Sequence, residues 1–134
     1  MIVLDASMAM AWSFKDERTE ETQALLQHAG RRGAVVPAHW RLEVANAFRT
    51  AIRRERISLA FRTQALEILA ALPIEIDVET PAHAWTATLR LSDLYNLTPY
   101  DAAYLELAQR MRLPLATLDG PLRTAAQSAA VELA

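Results

Sequence analysis

Met1-Ile2-Val3-Leu4-Asp5 opens the chain with an apolar run that stops at an acid. Consecutive apolar residues without alternation read as a strand buried on both faces, carrying a carboxylate at its C-terminal end. The pattern returns near the other end of the chain in Leu115-Ala116-Thr117-Leu118-Asp119, which predicts a strand over Leu115 to Leu118. Between them, Ala34 to Val36 reads as a strand closed by Pro37. Ile74 to Val78 alternates apolar and acidic residues as a half-exposed strand does.

Helical periodicity fills the spaces between these strands. Ser7 to Phe14 predicts a short helix. Arg18 to Ala29 predicts a longer one, with Ala24, Leu25 and His28 on one side and Gly30 and Gly33 near its stop. His39 to Arg54 carries an apolar face of Trp40, Val44, Ala47, Phe48, Ala51 and Ile52. Ser58 caps a helix to about Leu72, which Pro73 ends. Thr80 to Leu94 is helical with Pro81 in its first turn. Thr98-Pro99 starts another helix to about Arg112, a short helix follows Asp119, and Val131 to Leu133 reads as a last strand. This alternation predicts an α/β sandwich around a mostly parallel sheet. Ligands of such sheets bind beyond the carboxyl ends of the strands, so Asp5 and Asp119 are expected to share that edge.

Composition narrows the function. The chain has 134 residues, which predicts one domain spanning 1–134, and 52% of them are hydrophobic, enough for a core rather than disorder. There is no cysteine, so thiolate zinc sites, disulfides and cysteine nucleophiles are excluded. Lys15 is the only lysine and no Gly-Lys-Ser/Thr sequence occurs, which removes P-loop and late-lysine mechanisms. A haloacid-dehalogenase-type site fits poorly, because Ser7 stands where a second acid is wanted. Net charge is −2, which argues against non-specific coating of nucleic acid. No apolar stretch reaches the ~20 residues of a membrane span. The first residues lack a basic segment, and Asp5 interrupts what a signal peptide keeps apolar, so a cytoplasmic location is expected.

Four acids stand out by context. Asp5 reads equally as a helix cap or as a ligand. Asp119, before Gly120-Pro121, reads alone as a turn or N-cap residue. Asp101 completes a capping-box-like Thr98-Pro99-Tyr100-Asp101. Glu43 lies beside an apolar stripe, where a carboxylate must be paired or metal-bound; His39 and Asn46, each about one turn away, are candidate partners. Together the four acids say more than singly. Carboxylates converging at one sheet edge repel, and a divalent cation resolves the repulsion. Oxygen-only ligands suit Mg²⁺ or Mn²⁺. Zinc fits less well, because His28, His39 and His83 lack paired ligand spacing.

At these residues the chain resembles the PIN-domain ribonucleases, and more closely the VapC toxins of VapBC toxin–antitoxin systems. The matching segments are Val3-Leu4-Asp5-Ala6-Ser7, Leu42-Glu43-Val44-Ala45-Asn46-Ala47-Phe48, Thr98-Pro99-Tyr100-Asp101-Ala102-Ala103-Tyr104-Leu105-Glu106-Leu107-Ala108 and Leu115-Ala116-Thr117-Leu118-Asp119. The resemblance covers essentially the whole chain and implies a PIN-like three-layer sandwich, a mostly parallel central sheet flanked by helices. It implies a Mg²⁺- or Mn²⁺-dependent endoribonuclease that cleaves RNA by in-line attack of a metal-activated water. Asp5 and Asp101 match the acids that hold the metal; Glu43 and Asp119 complete the pocket directly or through water. Ser7, Asn46 and Thr117 match supporting polar positions. One departure is Gly120-Pro121, where many relatives carry charged or polar residues.

The resemblance further implies a VapB-like antitoxin docking against the early helices, where Met8, Met10, Trp12 and Phe14 would supply apolar surface, and a homodimer. Arg49, Arg53, Arg54 and Arg56 cluster at one helix end. Favourable charge at a helix C-terminus accounts for them, and phosphate contact by Arg53 and Arg54 is the functional alternative. Trp12, Trp40 and Trp85 read as core. Competing functions are a nuclease or phosphodiesterase acting on DNA or other phosphate esters, and a non-catalytic antitoxin-binding module.

Overall fold

The computed structural model describes residues 1–134. Its centre is a four-stranded, all-parallel sheet in the order β3-β2-β1-β4. The strands are β1 (Ile2–Leu4), β2 (Ala34–Val36), β3 (Ile74–Ile76) and β4 (Leu115–Ala116). β1 and β2 are buried at every residue, as the unbroken apolar runs predict, whereas β3 is the edge strand and leaves Glu75 and Ile76 exposed.

The chain lays down β1, β2 and β3 in one direction across the sheet, then returns to place β4 on the other side of β1. The boundary between β1 and β4 is therefore the switch point of the topology, where connecting segments diverge and leave a crevice. Helices α1 (Ala6–Ser13) and α2 (Glu20–Arg32) link β1 to β2. α3 (Trp40–Arg53) and α4 (Leu59–Ala70) link β2 to β3. The return to β4 runs through α5 (Thr80–His83), a π-helical turn (Ala84–Thr88), α6 (Leu89–Tyr95) and α7 (Pro99–Met111). α8 (Gly120–Ser128) follows β4. No helix is long and apolar enough to cross a membrane.

Local chemistry sets the boundaries. α2 starts two residues later than expected, because Thr19 and Thr22 cap each other's backbone. It runs through Gly30 and ends at Gly33, whose φ of 82° is left-handed; a Cβ there would press to 3.2 Å from the Pro73 carbonyl. Its buried side is Thr22 and Ala29, with Leu25 and Leu26 packed on the core, while Ala24 and His28 face solvent. α3 buries Trp40, Val44, Phe48 and Ala51, the face its periodicity defines.

The stretch expected as one helix from Thr80 to Leu94 is broken by the π-helical turn, and Trp85 on that turn is 91% exposed rather than core. One extra residue in the turn shifts the register of everything after it, so the period of the sequence misplaces Trp85. The last expected strand reduces to a single bridge between Leu115 and Leu133.

α7 is the most deeply buried helix; Ala102 to Ala108 are all inaccessible or nearly so. Glu106 lies within that run and is charged. It is matched by Arg110, which also binds Asp77 just past β3, at 2.8 Å and 2.6 Å respectively. Burial raises the Asp77 carboxyl, but the Arg110 and Thr80 hydrogen bonds more than reverse this and hold it below the usual carboxylate value.

Candidate functional site

Asp5 leaves the end of β1 and is 5% exposed. It stands at the N-cap of α1 but makes no capping bond. Its Oδ2 instead accepts two hydroxyls at 2.7 Å, from Ser7 one turn along and from Thr117 just past β4. Thr117 Oγ1 in turn accepts the Asp119 amide at 3.0 Å, and Ser7 Oγ accepts the Leu118 amide at 3.0 Å. Ser7 and Thr117 thus fasten the ends of β1 and β4 together and aim Asp5. Burial pushes the Asp5 carboxyl up; the Thr117 and Ser7 hydroxyls pull it down less than burial raises it, and Glu43 adds to the rise.

Asp119 does cap α8, accepting the Leu122 amide on Oδ2 at 3.0 Å. Gly120 and Pro121 are the first residues of α8, so they begin the helix rather than deflect the acid. Asp101 sits in the first turn of α7, where Thr98 Oγ1 accepts its amide at 3.1 Å. Its carboxyl is pushed up by burial first, and then by the charges of Asp119, Asp5 and Glu43. Four acids from four segments therefore share one electrostatic neighbourhood at the carboxyl end of the sheet.

Glu43, in the first turn of α3, resolves its own problem by pairing. Tyr104 of α7 donates its hydroxyl to Oε1, and His39 Nε2 lies 3.2 Å from the same oxygen. His39 Nε2 also donates to the Tyr100 carbonyl at 3.0 Å, which requires a proton on that nitrogen. Burial opposes charge on His39, but Glu43 outweighs it and raises the imidazole's pKa. Burial and then the Glu43 bond push the Tyr104 phenol far above its usual value, so it stays a donor. Asn46 makes no bond to Glu43; it is exposed and lines a cleft of about 360 Å³ with Glu43, Tyr100 and Asp101.

The sequence reading did not find Tyr104 as Glu43's partner, although its place three residues after Asp101 on one helix face signals it. Nor did it find Arg123, which sits one turn after Asp119 and donates from Nη1 to the Thr117 carbonyl at 2.9 Å.

No three acids converge tightly enough to form a ready cation cage. The donor set nonetheless fits a hard cation. Mg²⁺ usually takes one or two carboxylates and keeps waters for its remaining positions. A cation near Asp5 and Asp101 would also relieve the repulsion that raises Asp101.

The other candidates fall elsewhere. Met8, Met10, Trp12 and Phe14, expected as apolar surface, are 1%, 9%, 4% and 5% exposed and belong to the core. Only Trp12 of the four borders an open groove, of about 440 Å³, formed with Leu26, Phe61, Ala65 and Leu69. Arg56 is structural: it binds Asp16 and Glu17 and covers the Phe14 ring at 4.3 Å. Arg53 and Arg54 end α3 on the surface, about 15 Å along the axis from Glu43 at 1.5 Å per residue.

A family model described as the PIN domain matches residues 2–127. The crystal structure of PAE2754 from Pyrobaculum aerophilum is similar, with a TM-score of 0.69, 23% identity, and coverage of 92% of this chain and 78% of that one. It shares the fold. No curated protein matches the sequence.

Proposed function

The chain belongs to the PIN-domain family, a nuclease fold whose members typically depend on divalent metals, and on that footing we propose that it is an endoribonuclease toxin of the VapC type. The observation that carries the reading is Asp101, whose carboxyl is raised by burial and by Asp119, Asp5 and Glu43 together at the switch point of the sheet. Structural acids are paired with cations or donors, as Asp77 is with Arg110. Acids left to repel one another in a crevice need a cation.

Asp5 and Asp101 are the residues that would hold Mg²⁺ or Mn²⁺, with Glu43 and Asp119 completing the site directly or through water. When bound there, the cation supplies a water of lowered pKa and offsets charge on the scissile phosphate. Ser7 and Thr117 keep Asp5 in one orientation. Tyr104 and His39 hold Glu43 Oε1 and leave Oε2 to the cleft. Thr98 sets the first turn of α7 and with it Asp101. Cleavage by attack of water leaves 5′-phosphate and 3′-hydroxyl ends.

The partner reading is a VapB-like antitoxin segment in the Trp12 groove between α1, α2 and α4, whose apolar lining suits an amphipathic peptide, and a homodimer.

The test is brief expression of the wild type beside Asp101→Asn, with new RNA 5′ ends mapped across the transcriptome. Discrete wild-type cuts, absent in the variant and abolished in vitro by EDTA, are expected. Cleavage that persists in EDTA sinks the metal-dependent reading. Parallel digestion of DNA separates a ribonuclease from a broader phosphodiesterase.

A further inference from the structure

His39 stands between two tyrosines of α7, each meeting its ring edge-on: Tyr104 at 5.5 Å and Tyr100 at 5.8 Å between centroids. The two have opposite fates. Tyr104 is fully buried and its hydroxyl is spent on Glu43. Tyr100 is 65% exposed and its side chain makes no hydrogen bond to the protein. Its ring lines the same cleft as Glu43, Asn46 and Asp101, beside Leu42, itself 74% exposed.

Tyr100 is also held still. Thr98 caps its turn, Pro99 fixes the backbone before it, and His39 binds its carbonyl at 3.0 Å. An immobilised aromatic ring with a free face is costly to leave in water and contributes nothing to the core.

We propose that Tyr100 is the stacking platform for the base next to the cut, and so the residue that places a single-stranded substrate in the cleft. The inference rests on the nuclease reading. A phosphate facing Asp5 and Asp101 has its base within one sugar's length, and Tyr100 immediately precedes Asp101. The face of a tyrosine accepts any base, so the contact orients the strand without reading its sequence alone. Asn46, at the opposite wall of the cleft, has its amide free for the base edge.

The test uses short single-stranded oligoribonucleotides with one 2-aminopurine moved along the chain, bound to the full-length protein in Ca²⁺, with cleavage of the same RNAs followed separately in Mg²⁺. The expected result is quenching at one position in the wild type and in Tyr100→Phe. Tyr100→Leu keeps an apolar side chain on His39, and is expected to lose the quenching and bind about 5-fold or more weakly. Quenching equal in wild type and Tyr100→Leu overturns the platform while leaving the nuclease reading intact if cleavage persists. Quenching that depends on Tyr100 in a protein that cuts no RNA upholds the platform and defeats the nuclease reading. A wild type that neither binds nor cuts overturns both.

Discussion

Thr117 donates its hydroxyl to Asp5 at 2.7 Å across a separation of 112 residues. The bond joins the ends of two neighbouring parallel strands, and it is buried. Asp5 is thereby held where a side chain on a free strand end would rotate. Replacing Thr117 with Val keeps the shape and removes the donor. Stability is expected to fall by about 1–2 kcal/mol, because a buried acceptor loses a partner. Mn²⁺ affinity is expected to fall with it. Urea unfolding and a metal titration measure the two effects, and unchanged values for both would show that Ser7 alone aims Asp5.

Asp101→Asn removes one of four repelling charges. In the absence of metal the variant is expected to unfold at a higher temperature than the wild type, while losing both RNA cleavage and the stabilisation that Mn²⁺ gives the wild type. Thermal unfolding with EDTA and with Mn²⁺ reads this directly. A metal-free variant less stable than the wild type would mean that Asp101 has a structural partner.

The pH dependence of that difference has a definite sign. Asp5 and Asp101 have pKa values raised above 3.8 in the fold. The folded state therefore binds more protons than the unfolded chain above that pH, and stability falls as pH rises through the raised values. The advantage of Asp101→Asn over the metal-free wild type should be small at pH 4 and grow toward neutrality. A difference flat with pH would refute the coupling. Asp77 runs the other way: its lowered pKa gives stability that is complete above 3.8 and lost as pH falls through the folded value.

Arg110→Met strands Asp77 and Glu106, which are 8% and 5% exposed. Breaking one side of a buried ion pair costs about 3–5 kcal/mol, and this cost should appear in urea unfolding near neutral pH. Replacing Asp77 with Asn in the same chain should recover part of it. No recovery would place the cost in Arg110's packing rather than its charge.

Arg53→Gln with Arg54→Gln acts far from the acids. RNA affinity and its salt slope are expected to fall by up to two phosphate contacts, each worth about 0.7 in slope for a single strand, while turnover at saturating RNA is unchanged. An unchanged slope would leave these arginines only their role at the end of α3.

Much of this protein is legible in its sequence because it is encoded locally. Unbroken apolar runs at Ile2–Leu4 and Ala34–Val36 become the buried strands, and the acid after Leu4 lies at the carboxyl edge of the sheet. The face of α3 follows its periodicity, and Thr98 and Ser58 cap the helices they precede. The parallel order follows from the alternation of helices and strands, since parallel neighbours need crossovers.

What the sequence could not determine depends on register and on meetings between distant segments. A π-helical turn shifts the helical phase by one residue, so Trp85 faces solvent and no periodicity reveals it. Met8 to Phe14 form an almost wholly apolar helix, and an apolar helix reads alike whether it faces a partner or the core; packing of α1 against α2 and α3 made it core. Glu43 beside an apolar stripe demanded a partner, but only the approach of α7 to α3 chose Tyr104. The sequence by itself determined which residues are apolar, acidic or capping, because those properties belong to single residues and short spacings. The tertiary structure alone decided which acids repel, which is buried, and which aromatic ring is left free, because each of these is a distance between parts of the chain that lie far apart along it.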